Sequence, residues 1–132
     1  MGAETWDYWL PYQANIGEAL KKLRQEVFRS GRYRGSDSKP MTPEDAFENM
    51  GANGTASILD VTHVSDKADF CAVRPLLDQE LDLYFGTTRP TRETVEQNME
   101  FFEAIERGQG VYIVVYLNGK PSEIFFGGYS FD

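Results

Sequence analysis

Three residues stand out as candidates for acid–base or nucleophilic chemistry. Cys71 is the single cysteine, His63 is the single histidine, and Asp60 lies three positions before that histidine. A thiol beside an imidazole can act as a nucleophile with its base. A carboxylate inside a strand can act as a buried general base if it faces inward. The pattern around them is thin. The eight-residue separation of His63 and Cys71 crosses a loop and fixes no geometry, and neither residue sits in a nucleophile motif. A lone cysteine is usually a small buried hydrophobe. Asp60 stands between Leu59 and Val61, so strand alternation places it on the solvent face.

Metal and phosphate chemistry find less. One histidine and one cysteine do not make a zinc site with ordinary ligands. Asp66 and Asp69 in SDKAD lack the oxygen spacing of a calcium loop. The glycines of GANGT and GGYS match no phosphate-binding loop. The expectation is a non-catalytic chain with no cofactor and no metal.

Charge carries more. Glu93, Glu96, Glu100 and Glu103 recur at spacings of 3, 4 and 3, and Glu106 extends the row. On one helix they make an acidic ridge opposite the apolar stripe. Asp78, Glu80 and Asp82 form a second acidic cluster. Such a face keeps a protein soluble, or it docks onto a basic groove. Asp78, Asp82, Glu96, Glu100 and Glu103 are the candidate contacts. The stretch WDYWLPY adds Trp6, Tyr8, Trp9 and Tyr12. Trp6 and Trp9 are either plugs for the core or anchors for a partner, because tryptophan serves both purposes.

The net charge of the 132-residue chain is −8, which disfavours nucleic acid and anionic membrane surfaces as partners. The partner expected is a basic protein. One segment runs the other way: residues 21–34 hold six basic side chains against one carboxylate, Glu26. No apolar run approaches the roughly 20 residues that span a bilayer. The start MGAETWDYWLPY lacks the basic and apolar regions of a secretory signal, and Trp6 stands where a myristoylation signal needs Ser or Thr. One cysteine allows no internal disulfide and fits a reducing cytoplasm.

The elements that must position these residues are read as follows. Asn15 caps a helix with Glu18 in capping-box register, and Ile16, Leu20, Leu23 and Val27 form its inner face. Thr42-Pro43 opens a short helix. SILDVTHV, residues 57–64, reads as a strand. Leu76 to Phe85 reads as a short helix with Leu77, Leu81, Tyr84 and Phe85 inward. Thr91 caps a second long helix with Val95, Met99, Phe102 and Ile105 on its buried stripe. VYIVVYL, residues 111–117, is apolar on both faces and reads as a central strand. Asn118-Gly119 signals a type I′ hairpin into the strand 122–131, where Gly127-Gly128 marks a bulge or a close backbone. The expected fold is one α+β domain over 1–132: a small antiparallel sheet of three or more strands, covered by two long amphipathic helices in two layers.

The phrases WLPYQ, SILDV, GTTRPTRE, ERGQGVYIVVY and EIFFGGYSFD, together with the acidic balance, resemble small immunity proteins of bacterial toxin systems. That resemblance implies a cytoplasmic protein that neutralises a cognate toxin by covering its active site. Two other classes stand beside it. One is a small-molecule-binding regulatory domain with a pocket lined by Tyr112, Tyr116, Phe125 and Tyr129. The other is an enzyme using Asp60, His63 or Cys71.

Overall fold

Three of the four aromatics of WDYWLPY lie on a strand. In the computed structural model, which describes residues 4–48 and 54–131, Thr5–Pro11 forms β1. It pairs antiparallel with the last strand of the chain, Thr5 opposite Tyr129 and Trp6 opposite Gly128. The two aromatic ends therefore pack together.

Helix α1, Ile16–Ser30, forms as its sequence dictates. The Asn15 side chain accepts from the Glu18 amide, and Gly31 closes the helix in the left-handed conformation. Ala19, Leu20, Leu23 and Val27 are buried. The short α2, Pro43–Glu48, follows the Thr42 hydroxyl, which accepts from the Asp45 amide. GANGT lies partly outside the described residues.

Residues 57–64 do not make the expected strand. Ile58–Asp60 is a single 3-10 turn capped by Ser57, and only His63–Val64 extends as β2. Ile58, Leu59, Asp60 and Val61 are all buried. The Ser57 hydroxyl accepts from the Leu59 amide, and this local bond favours the turn over a strand ladder. Ala72–Pro75 then forms β3, and α3 runs Asp78–Phe85. Leu76 is buried here, whereas Leu77 points outward.

The second long helix is also absent. Thr91 caps α4 as expected, but α4 ends after Arg92–Gln97. The Asn98 side chain donates to the Thr94 carbonyl, and Asn98 leaves helical geometry at φ −136°. Met99–Ala104 continues as 3-10 turns, which bury the adjacent Phe101 and Phe102. Gly110–Leu117 is β4 and Lys120–Tyr129 is β5. Asn118 and Gly119 both take positive φ, 53° and 77°, as a type I′ turn requires.

The sheet has five strands in the order β1-β5-β4-β3-β2. β1, β5 and β4 are antiparallel neighbours, whereas β3 pairs with β4 in parallel and β2 with β3 in parallel. The expectation of a small antiparallel sheet under two long helices in two layers is thus wrong in three respects. The sheet is mixed, only α1 is long, and both sheet faces are covered. α1, α2 and the 58–60 turn pack with Trp6, Val73, Ile124 and Phe126 on one face. Val95, Phe101, Phe102 and Ile105 pack with Val111, Ile113, Val115 and Phe125 on the other. β4 is the central strand, as its two apolar faces require. The parallel pairing follows from the crossover through α3 and α4, which carries the chain from β3 back to the same end of the sheet.

Gly127-Gly128 is the close-approach alternative. The ladder irregularity lies at Val115/Tyr116 instead. A Cβ on Gly128 would meet the Gln109 carbonyl and, at 2.6 Å, the Trp6 ring; one on Gly110 would meet that ring at 2.8 Å. These two glycines form the slot that Trp6 fills. Among the described residues no helix is long and apolar enough to cross a membrane.

Candidate functional site

β1 sends its two tryptophans to opposite faces of the sheet, because successive strand residues alternate and their separation is odd. Trp6 is a core plug, 4% exposed. Trp9 is half-buried on the other face, against Phe125 with ring centroids 4.9 Å apart. Trp6 is thus a plug, whereas Trp9 is packed on the second core cluster without being fully buried.

Around Trp9 the fold assembles a shallow depression of about 270 Å³. Trp9, Met99 and Phe125 line it together with the carboxylates of Asp7 and Glu96. Arg92 lays its guanidinium over the Trp9 ring, 4.4 Å from the centroid. Glu123 at 2.9 Å and Glu96 at 3.5 Å hold that guanidinium in place. A cation over an indole face gains about 0.5–1 kcal/mol at an exposed site. The ring thus already accepts a basic side chain, with acids arranged beside it.

Of the predicted contacts, Trp9 and Glu96 come together here. Glu100 and Glu103 lie exposed on the 3-10 turns that continue from Met99. They are three apart, and side chains at that spacing stack along a 3-10 helix. The single acidic ridge does not exist, because the break at Asn98 separates Glu93 and Glu96 from Glu100 and Glu103. Asp78 and Asp82 are exposed on α3. Glu80 between them is bound to Arg74 by two bonds of 2.7 and 3.0 Å, so its charge is answered locally. Arg74 hydrogen bonding holds the Glu80 carboxyl below its usual pKa. Sequence reading missed Asp7 and Glu123. Glu123 is 31 residues from Arg92, and only strand pairing brings it there.

The residues of the enzyme reading are dispersed in role. Asp60 is fully buried, which reverses the solvent-face expectation. Oδ1 accepts from the Thr55 amide at 2.6 Å and the Thr55 hydroxyl at 2.7 Å, and Oδ2 accepts from the Ser130 hydroxyl at 2.6 Å. Ser57 adds a 2.7 Å bond to the Thr55 hydroxyl. A carboxylate so satisfied is part of the framework. His63 is exposed, with Thr62 Oγ1 2.9 Å from Nδ1 and Asp69 3.6 Å from Nε2. Burial, with the charges of Asp60 and Asp69, raises the Cys71 pKa. That is opposite to the activation a thiolate nucleophile needs. The four aromatics of the pocket reading do not line one cavity. Tyr112 packs on the α1 face, Phe125 and Tyr129 on the other, and Tyr116 lies under Arg89. Among the described residues no group of three or more His, Cys, Asp or Glu could hold a metal ion.

Comparison with family models, with curated proteins and with solved structures finds no match to this chain.

Proposed function

We propose that the chain is a non-catalytic protein-binding module that covers the working surface of a basic partner, the role of an immunity protein toward its toxin. The observation that carries this reading is the Trp9 depression. It combines a half-buried aromatic floor with carboxylates at its edge. Interfaces concentrate their energy in aromatic anchors ringed by polar groups that exclude water. The acidic excess speeds encounter with a basic protein and makes the rate salt-dependent. Arg92 on Trp9 is an internal example of the contact that a partner's Arg or Lys would make.

The test is capture from a lysate of the source organism, at low and at high salt, with wild type and with the Glu96→Lys, Glu100→Lys, Glu103→Lys triple variant. The expected result is one basic protein in near-equal amount, lost as salt rises and reduced by the variant. That protein should arrest growth when expressed alone and not when co-expressed with this chain. Capture unaffected by the variant would reject this surface. No partner at either salt would reject the module.

A further inference from the structure

The second feature lies on the opposite face of the sheet, where the basic segment of this acidic chain is folded. A cleft of about 490 Å³ opens between α1, α2 and β2. Gly17, Leu20, Lys21 and Arg24 of α1 line one wall, Glu44 of α2 another, and Thr62, His63 and Val64 a third. Lys21 and Arg24 are three apart on α1, so both reach the same side of the helix.

Arg24 is the unusual member. Its guanidinium is half-buried, and among the described residues its hydrogen bond is a long 3.5 Å contact from Nη2 to the Leu59 carbonyl. Its Nε is fully buried with no hydrogen-bond partner among the described residues. Burial lowers the pKa of the group, and the charge of Glu44 opposes that shift. No carboxylate lies within ion-pair distance of Arg24 or Lys21 among the described residues. A buried donor on a charged group is costly to leave unmade. Natural structures leave few such groups without protein, water or ligand to satisfy them.

We propose that this cleft binds a small phosphate monoester. Lys21 and Arg24 bring two cationic side chains to one wall, which suits a group with two charges and three acceptor oxygens, while Thr62, bonded to His63 Nδ1 and the Cys71 carbonyl, and His63 line another. Leu20 and Val64 supply an apolar wall for the body of the ligand. Glu44 and Asp69 are the opposing carboxylates. Glu44 lines the cleft, and Asp69 contacts His63 from outside it.

Amide NMR spectra of the full chain would be titrated at constant ionic strength with inorganic phosphate, propyl phosphate and butyrate. The expected result is saturable shifts confined to residues 17–24, Glu44 and 62–64, with propyl phosphate tightest. Arg24→Gln should raise the Kd about tenfold and Lys21→Gln several-fold. Lys21 is exposed, so its variant keeps the fold even if the Arg24 variant does not. Shifts that never saturate, or equal binding by Lys21→Gln, would overturn the site. Butyrate binding as tightly as propyl phosphate would overturn the assignment of a dianion.

Discussion

The Ser130 hydroxyl donates to Asp60 Oδ2 over 2.6 Å, joining residues 70 apart in the chain. The same hydroxyl accepts from the Ala56 amide at 3.2 Å, and the Ser130 amide donates to the Glu4 carbonyl at 2.8 Å. One buried carboxylate thus fastens the end of the last strand to the 54–60 turn, beside the start of β1. Asp60→Ala removes the carboxylate to which the Thr55 amide, the Thr55 hydroxyl and the Ser130 hydroxyl donate. Bonds to a charged group are worth about 1.5–3 kcal/mol each and do not add, so a loss of about 3 kcal/mol or more is expected. Urea unfolding at neutral pH measures it. A loss well under about 1 kcal/mol would mean that water replaces the carboxylate at no cost.

Gly128→Ala tests the Trp6 slot. The new methyl meets backbone on one side and the indole on the other, at the Gln109 carbonyl, the Gly110 Cα and the Trp6 ring. Backbone in a central ladder cannot move aside. Overpacking costs of about 1–3 kcal/mol are typical, and this site belongs at the upper end. The urea midpoint falls accordingly, and Trp6 emission shifts to the red. An unchanged midpoint would show that the slot relaxes.

The two tryptophans should separate in solution. Trp6 is buried and Trp9 is half-buried beneath Arg92. Arg92→Ala therefore increases acrylamide quenching of Trp9 and leaves Trp6 unaffected, with Trp9→Phe as the control. Stability changes by less than about 1 kcal/mol, since this is an exposed cation–π contact with surface ion pairs. A large loss would place Arg92 in the framework and weaken the reading of the depression as a docking surface.

Glu80 gives a pH dependence. Its folded pKa is lowered by Arg74, so its contribution is present above the unfolded value, near 4.3, and is lost as pH falls through the folded one. Stability measured downward from pH 5 should decline, and Glu80→Gln should flatten part of that decline. A variant as acid-sensitive as wild type would show that other carboxylates set the slope.

Cys71 should react slowly. Its raised pKa leaves less thiolate than a free cysteine has at the same pH. Iodoacetamide at pH 8 should alkylate it several-fold more slowly than free cysteine, with the rate rising into the alkaline range. Faster reaction than free cysteine would revive the nucleophile reading.

Local chemistry determined much of this protein by itself. Asn15, Glu18 and Gly31 bound α1, because capping bonds span only a few residues. Asn118-Gly119 sets the hairpin, because its turn needs positive φ at both positions. The two apolar faces of 111–117 made it the central strand. Elsewhere pattern misled. The Val95–Ile105 periodicity and the β-branched 57–64 run described intrinsic preference, and burial of Phe101-Phe102 and of Ile58–Val61 overrode it. β3 has four residues and ends in Pro75, too short a signal to separate from a loop. The candidate sites were the least legible. Trp9 meets Phe125 and Arg92 meets Glu123 only through strand pairing, and Lys21 and Arg24 face Thr62 and His63 only when α1 packs beside β2. Contacts between distant residues depend on register and packing, and a single chain read in order contains neither.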